Sequence, residues 1–257
     1  MSHVNELLRK RIGLSMSEEI TLQTLPTVLE KIAKEIPFEN VCIIDDKTTE
    51  ITDEYVKHKI LNEGEGGLCY ELNYLLYLFL TENDFHTKLV RGVVFDQVNQ
   101  KWGSTGRTHV ANVITVNGKK YIVDTGFGVN LPLKPVPLTG DIVTSSNGEF
   151  RVEKKETEFG DYIFYMKLKH KHDEWKMGYS FHSEKDAGVT DLNEVQKIII
   201  EHPESPFNKK PLLTKITDRG SIVLTEDSFT VWINGEVRKE EIDSEEFFRL
   251  RKCYFGF

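Results

Sequence analysis

The spacing of apolar residues changes near Asn83-Asp84, and this change limits the folds that the chain can adopt. Before this point apolar residues recur every three or four positions, which predicts amphipathic helices. The predicted helical segments are residues 4–12, 22–35, 52–61 and 69–82. From Thr87 to about Leu168, runs of β-branched and aromatic residues bounded by turns predict strands instead. We therefore expect an α+β protein with an N-terminal helical bundle.

The central and C-terminal thirds predict two further parts of the fold. Strand-like runs occupy residues 88–95, 109–116, 120–124 and 162–168. Several short strands joined by turns are typical of a small β-barrel or a curled sheet. The last third mixes predicted helices with strands, which indicates an α/β lid. With no repeat or long flexible linker, we expect three packed subdomains: helical residues 1–85, barrel residues 86–190 and lid residues 191–257.

Length, charge and cysteine content narrow the classes of protein. The 257 residues can bury a sizeable core, and a net charge of −8 argues against a general nucleic-acid binder, which needs excess Lys and Arg. The longest strongly apolar stretch, residues 75–80, is too short to span a membrane, and the N-terminus lacks the apolar core of a secretion signal. Cys42, Cys69 and Cys253 are too few and too scattered for a disulfide scaffold or a zinc site. We expect a cytoplasmic protein with neither a nucleic-acid partner nor a membrane.

The segment Gly66-Gly67-Leu68-Cys69 delivers a cysteine to the start of a strongly apolar helical run. The two glycines are expected to take backbone angles closed to other residues and to leave room for a second molecule. The first amides of the helix, with their partial positive charge, would stabilise Cys69 as a thiolate. Taken alone, the motif is more often a glycine turn followed by a buried cysteine.

His109 and Asp124 follow in strand-like sequence. Asn117-Gly118 between the two predicted strands is a strong signal for a two-residue hairpin. An antiparallel pair closed there sets His109 and Asp124 near each other at its open end. An imidazole takes the proton of a neighbouring thiol, and a buried carboxylate fixes the tautomer of the ring. Cys69, His109 and Asp124 therefore form a plausible nucleophilic triad, like the core of a cysteine peptidase.

Four sequence blocks together resemble the signatures of arylamine N-acetyltransferases. They are Ile-Pro-Phe-Glu-Asn at 36–40, Gly-Gly-Leu-Cys at 66–69, Ser-Thr-Gly-Arg-Thr-His at 104–109 and Val-Asp-Thr-Gly-Phe-Gly at 123–128. Weaker likeness at 203–207 and 228–230 extends the resemblance over nearly the whole chain. The resemblance implies the same order of helices, sheet and mixed lid, with the triad where the first two parts meet.

The resemblance also implies a reaction. The Cys69 thiolate would attack acetyl-coenzyme A, His109 would act as base and acid, and Asp124 would orient the imidazole. An arylamine or hydrazine, which is neutral and nucleophilic near neutral pH, would then take the acetyl group in a ping-pong reaction. No metal is expected.

Ligand contacts are expected at four further positions. The resemblance places coenzyme A at Thr105 and Gly106, where a hydroxyl lies beside a glycine amide that we expect to be open. Phe38 and Phe127 would wall the acceptor pocket. The glycines that flank Phe127 are expected to let the backbone approach a ligand.

Glu65 departs from the resemblance, because the family usually has an arginine before the two glycines. That arginine is expected to pair with the glutamate of the first block, here Glu39. Two facing carboxylates would disfavour the thiolate. We therefore expect either a displaced cation, with Arg107 and Arg91 as candidates, or a weakened enzyme.

Two alternatives share these residues. Papain-like peptidases and transglutaminases also use Cys, His and Asp or Asn, but they need an open groove for a peptide. An acetyltransferase scaffold weakened by Glu65 could instead serve as a ligand-binding protein. The residues do not fix the acceptor amine, the preferred acyl donor or the oligomeric state.

Overall fold

The computed structural model describes residues 3–257, which form seven α-helices and fourteen strands. The helices are α1 Val4–Arg11, α2 Leu25–Glu35, α3 Val41–Ile44, α4 Asp53–Val56, α5 Cys69–Glu82, α6 Val189–Glu201 and α7 Ser244–Leu250. The strands are β1 Phe38–Glu39, β2 His86–Asp96, β3 Lys101–Trp102, β4 His109–Val116, β5 Lys119–Val123, β6 Val136–Pro137, β7 Val143–Ser145, β8 Gly148–Lys154, β9 Tyr162–Leu168, β10 Lys176–Phe181, β11 Leu212–Thr217, β12 Gly220–Thr225, β13 Ser228–Ile233 and β14 Glu236–Glu241. Among these residues, no helix is both long and apolar enough to cross a membrane.

The first helices differ from the predicted segments in two places. Helix α2 begins at Leu25 rather than residue 22, because Pro26 is tolerated only in the first turn of a helix. The predicted segment 52–61 is α4 followed by a π-helical turn, Lys57–Asn62. Such turns often occur at functional sites.

Helix α5 is apolar on nearly all sides and is buried accordingly. Leu72, Leu75, Leu76 and Phe79 are each at most 3% exposed. Burying a side chain of this size contributes roughly 1.5–3 kcal/mol, so α5 is held by its packing against β2 and β4. The predicted helix 69–82 is confirmed at both ends. Asp84 then takes a left-handed backbone conformation, with φ of +62°, as the chain turns into β2.

The large sheet is antiparallel and curls on itself. Its strand order is β6-β5-β4-β2-β10-β9-β8-β7, with β3 paired to β2, and β6 lies against β8, so the sheet is a nearly closed barrel. The hairpin between β4 and β5 turns at Asn117-Gly118, whose φ values are both positive. The α+β fold with a small barrel is therefore confirmed.

Strand β4 separates two cores and sets the direction of His109. Successive side chains of a strand point to opposite faces. Val110 and Ile114 pack with the helices, whereas Ala111 and Val113 pack inside the barrel. His109 shares the parity of Ala111 and Val113, so it faces the barrel interior.

The C-terminal sheet has the order β1-β11-β12-β13-β14. Its first strand comes from the N-terminal third of the chain, because Phe38 pairs with Thr214 and Glu39 with Leu213. A two-residue strand has no periodicity to predict it. The pairing joins the first and last thirds of the chain beside Cys69. The boundaries of the three subdomains stay a prediction.

Candidate active site

Cys69 is the first residue of α5, directly after Leu68 at the N-cap. Its side chain is buried, and Sγ donates to the carbonyl oxygen of Thr108 at 3.4 Å. The Glu71 carboxylate accepts a hydrogen bond from the Leu68 amide at 2.9 Å, which satisfies one of the free amides at the helix start. The thiol therefore lies at the positive end of a helix whose first turn is held by the Glu71 side chain of the same helix.

The glycines before Cys69 are required for packing, and the expectation of unusual backbone angles was wrong. Neither Gly66 nor Gly67 has a positive φ. A Cβ on Gly66 would lie 2.0 Å from the carbonyl oxygen of Pro37, and a Cβ on Gly67 would lie 2.8 Å from Glu71 Oε2. Protein atoms, rather than a second molecule, therefore fill the space beside these glycines.

His109 contacts Asp124 at the open end of the β4–β5 hairpin. Nε2 of His109 lies 2.8 Å from Oδ2 of Asp124, and both side chains are buried. Asp124 directly follows β5 and has the parity of Ile122, which faces the barrel interior. The hairpin therefore places both side chains on the same face, next to Cys69.

The pair shifts the protonation of both groups. Burial lowers the pKa of His109, but the Asp124 carboxylate and, to a smaller extent, the Cys69 thiol raise it, so that the pKa is about 10. Burial raises the pKa of Asp124, but the His109 charge and several hydrogen bonds outweigh burial and hold it below its usual value. The site therefore favours an imidazolium beside an ionised carboxylate.

Three groups besides His109 hold the Asp124 carboxylate. Oδ1 accepts from Asn73 Nδ2 at 2.9 Å and from the Gly126 amide at 2.8 Å, while the Tyr179 hydroxyl donates to Oδ2 at 3.0 Å. Sequence reasoning missed Asn73 and Tyr179. Asn73 lies four positions after Cys69, on the same face of a helix, and this spacing was the available signal. Tyr179 lies on β10, 55 residues after Asp124, and no motif around it in the sequence indicates this contact.

Gly126 lets the loop after β5 approach α5. Its backbone also lines the cavity beside Cys69, so the expectation that it lets a ligand approach stays a prediction. A Cβ at this position would lie 2.5 Å from the Cα of Cys69 and 2.6 Å from Asn73 Nδ2. Carbon atoms never pack this closely. The close approach brings Asp124 and Phe127 to the nucleophile.

A cleft of about 550 Å³ opens above the thiol. Its apolar wall includes Val94, Ile199 and Pro206, together with both phenylalanines predicted at the pocket. The ring centroids of Phe127 and His109 are 5.0 Å apart. Phe38 packs edge-on against Phe207, with 5.6 Å between the ring centroids. Six polar lining residues are exposed or half-buried and therefore mark the mouth of the cleft: Asp96, Asn99, Lys101, Ser104, Thr105 and Glu204. The cleft has the size and lining of a site for a small organic ligand.

Thr105 lines the cleft, whereas Gly106 does not. The Thr105 hydroxyl is 3.0 Å from that of Thr108. Thr105 also borders a neighbouring cavity of about 440 Å³, which Gly106 lines. The Gly106 amide donates to the carbonyl oxygen of Gly103 at 3.2 Å, so the expectation of an open amide was wrong.

The cation beside Glu39 is Lys59, and the expectation of Arg107 or Arg91 was wrong. The Lys59 ammonium lies 3.3 Å from Glu39 Oε1 and 2.7 Å from Glu71 Oε1. The two arginines are committed elsewhere: Arg91 binds Asp191, Glu194 and the Arg107 carbonyl, and Arg107 binds the carbonyls of Glu158 and Phe159. Glu65 Oε2 lies 3.7 Å from the sulfur of Cys42.

Cys42 lies in surroundings that disfavour its thiolate. Burial, chiefly, raises the pKa of its thiol to about 11, with Lys59 opposing and the nearby carboxylates adding to the rise. Within residues 3–257, no group of three or more His, Cys, Asp or Glu side chains is arranged to hold a metal ion.

Comparison with known proteins gives this chain relatives over nearly its whole length. A family model described as N-acetyltransferase matches residues 21–257. The uncharacterized acetyltransferase YvcN of Bacillus subtilis is 38% identical over 93% of this chain and 92% of its own length. The probable arylamine N-acetyltransferase 3 of Dictyostelium discoideum is 30% identical over 92% of this chain and 86% of its own length.

The solved structures that match this chain are also arylamine N-acetyltransferases. The arylamine N-acetyltransferase NAT3 of Bacillus cereus matches with a TM-score of 0.95 and 36% identity, covering 100% of this chain and 99% of that one. An arylamine N-acetyltransferase of Mycobacterium marinum, solved in complex with CoA, shares the fold with a TM-score of 0.85 and 21% identity, covering 98% and 92%. The Bacillus cereus protein is described as having a Cys-His-Glu triad, whereas the carboxylate on His109 in this chain belongs to Asp124.

Proposed function

This chain belongs to the arylamine N-acetyltransferase family, and we propose that it transfers an acetyl group from acetyl-coenzyme A to an arylamine or arylhydrazine. The reaction runs by double displacement through an acetyl group on Cys69. One observation carries the proposal: the Cys69 thiol lies beside a His109–Asp124 pair at the base of an apolar cleft.

The first half-reaction starts from a thiolate–imidazolium pair, in which the proton of Cys69 is already held on His109. The ionised Asp124 carboxylate stabilises the imidazolium, and the N-terminus of α5 stabilises the thiolate. The thiolate attacks the thioester carbonyl, the carbon–sulfur bond to coenzyme A breaks, and His109 returns its proton to the departing thiolate. Exchange of one thioester for another is nearly balanced in energy.

The second half-reaction uses the same imidazole as a base. A neutral amine attacks the carbonyl carbon of the acetyl group, and His109 takes the proton that the nitrogen loses. The bond from the acetyl carbon to the Cys69 sulfur then breaks, which releases the amide and restores the thiolate–imidazolium pair. Arylamines and hydrazines are unprotonated near neutral pH, whereas ordinary alkylamines are not. Phe38 and Phe127 line the cleft as flat apolar walls, which supports an aromatic acceptor.

Coenzyme A must reach Cys69 through the mouth of the cleft. Thr105 and Lys101 line that mouth and can contact the polar part of the cofactor. Gly106 contributes by shaping the loop beside Thr105 rather than through its amide, because its φ of +69° favours glycine and its amide already donates to Gly103. We keep the cytoplasm as the proposed location because Cys42, Cys69 and Cys253 are all free thiols.

Initial rates test this function. Release of coenzyme A is followed while acetyl-coenzyme A and one arylamine are varied, and the panel is extended to hydrazines and alkylamines. The proposal predicts parallel double-reciprocal lines, and turnover with arylamines and hydrazines but not with alkylamines. Intersecting lines would contradict double displacement. Ammonia or peptide release would favour the peptidase or transglutaminase alternative, and ligand-induced stabilisation without acetyl transfer would favour a binding protein.

A further inference from the structure

A buried cluster of three charged side chains lies behind the nucleophile. Lys59 is 5% exposed, Glu39 is 1% exposed and Glu71 is 3% exposed. Placing two carboxylates and one ammonium inside a protein is unfavourable unless they compensate one another. The mechanism uses none of these three groups directly, so their burial needs another explanation.

Glu71 connects the ammonium to the first turn of α5. Its Oε1 accepts from Lys59 at 2.7 Å and from the Tyr55 hydroxyl at 3.3 Å, while Oε2 accepts from the Leu68 amide at 2.9 Å. Leu68 directly precedes Cys69. The Glu71 carboxylate therefore fixes the position of Leu68, and with it the start of α5 at Cys69.

Glu39 connects the same ammonium to the glycine turn. Its Oε2 accepts from the Val41 amide at 2.5 Å, whereas its buried Oε1 receives no hydrogen bond and has the Lys59 ammonium 3.3 Å away. The Glu39 amide donates to the carbonyl oxygen of Gly67 at 3.0 Å. Through this contact the backbone of Glu39 holds the turn that leads into Cys69.

We propose that Lys59 is a positioning residue for Cys69, because its ammonium bridges the Glu71 carboxylate, which holds the first turn of α5, and the carboxylate of Glu39, whose backbone amide holds the glycine turn. Lys59 itself contacts neither the thiol nor the cleft. Without the ammonium no group joins the two carboxylates, so the turn and the helix start are no longer held together, and the repulsion between the carboxylates adds a separate cost to folding. The proposal deepens the proposed function, since it rests on Cys69 being the nucleophile.

Two readouts follow the position of the thiol. The first is the rate of alkylation of Cys69 by iodoacetamide at neutral pH, measured by peptide mass so that Cys42 and Cys253 are counted separately. This readout needs no acetyl transfer, so it can succeed even if the proposed function fails. The second is the rate of acetylation at saturating acetyl-coenzyme A, together with the Kd of coenzyme A.

Lys59→Met removes the ammonium while keeping the length of the side chain. We expect Cys69 alkylation to slow at least about tenfold and acetylation to slow roughly 100-fold, the loss typical of a small displacement of a catalytic group, with the Kd of coenzyme A unchanged. Lys59→Arg keeps the charge and is expected to recover most of both rates. Lys57→Met is the matched control, because Lys57 lies in the same π-helical turn and pairs instead with the exposed Glu54.

The triple variant Glu39→Gln/Lys59→Met/Glu71→Gln separates positioning from folding. It removes the repulsion between the carboxylates, so we expect a Tm close to that of the wild type even if Lys59→Met alone does not fold. If Lys59 positions the thiol, the triple variant is stable but both rates stay low. Recovery of both rates together with the Tm would overturn the proposal, as would wild-type rates in folded Lys59→Met.

Discussion

The Asp124 carboxylate accepts hydrogen bonds from four groups around the site. Its Oδ2 is shared by His109 and Tyr179, and its Oδ1 is shared by Asn73 and Gly126. A carboxylate can accept all four hydrogen bonds, since each oxygen has two lone pairs. The side chain both orients the imidazole and joins β5 to α5.

Asp124→Asn keeps the size of this side chain and removes its charge. Its NH₂ group must then face at least one of the donors, and the imidazolium loses its counter-ion. We expect kcat/KM for acetyl transfer to fall about 10³–10⁴-fold, as for the equivalent change in serine-protease triads, with little change in KM. Steady-state kinetics measure this, with the exposed Asp173→Asn as the control. Retention of more than about a tenth of the activity would mean that Asp124 does not support His109 in this way.

Glu65→Arg tests whether the missing arginine matters. Because Lys59 already lies beside Glu39, we expect the rate of Cys69 alkylation to change less than about threefold and the free energy of unfolding to change by no more than about 0.5 kcal/mol. A large rise in thiol reactivity would show instead that Glu65 depresses the nucleophile, as the sequence alone led us to expect.

The sequence identified the residues with distinctive chemistry and missed those that support them. Cys69 and His109 could be predicted because a glycine turn and a hairpin mark their surroundings. Lys59 could not, because a lysine within an amphipathic helix is ordinarily solvated, and only the tertiary fold brings Glu39 and Glu71 around it. Tyr179 was out of reach for the same reason.

Among helices and strands, the long segments with a periodic apolar pattern could be predicted from the sequence. Short or fully exposed strands, which form only by pairing with a neighbouring strand, could not. Helix α5 and strand β4 match their predicted bounds because each has a strong apolar pattern. Strand β1 has two residues and exists only through its pairing with β11. Strand β14 is exposed along its whole length, so it has no buried face to create an alternating pattern.

The contact between the loop after β5 and helix α5 is the element-scale feature that assembles the site. Gly126→Ala forces a Cβ to within 2.5 Å of the Cα of Cys69, so the loop must move away from the helix. We expect a loss of about 1–3 kcal/mol in the free energy of unfolding, together with a lower kcat. Urea unfolding and steady-state kinetics measure the two effects.

Gly188→Ala is the control for this substitution, because a Cβ on Gly188 meets nothing within 4 Å. It replaces an N-cap residue of α6, so a loss below about 1 kcal/mol and an unchanged kcat are expected. If the two alanine variants behave alike, close packing at Gly126 is not what brings Asp124 to the nucleophile.

For the whole molecule, the His109–Asp124 pair makes stability depend on pH. The pKa of His109 is raised from 6.5 to about 10 in the folded state, so its contribution is complete below about pH 6.5 and is lost as the pH rises to about 10. Asp124 has a lowered pKa, so its contribution is present above its ordinary value of 3.8 and is lost as the pH falls below that value. The pair therefore stabilises the protein most between these two ranges.

Urea unfolding of the wild type and of Asp124→Asn from pH 6.5 to 10 tests this coupling. The difference in the free energy of unfolding between the two proteins is expected to be largest at pH 6.5 and to shrink towards pH 10, as His109 loses its proton. A difference that stays constant over this range would show that His109 is not held as an imidazolium by Asp124.

The acetyl group on Cys69 is the central claim, and a single-turnover experiment tests it most directly. The protein is mixed with acetyl-coenzyme A without an acceptor, and free coenzyme A and the intact mass are followed for the wild type and for Cys69→Ala. We predict one equivalent of coenzyme A released and one acetyl group gained by the wild type, located at Cys69, with neither event in the variant. Release without acetylation of Cys69, or equal acetylation of Cys69→Ala, would contradict the account.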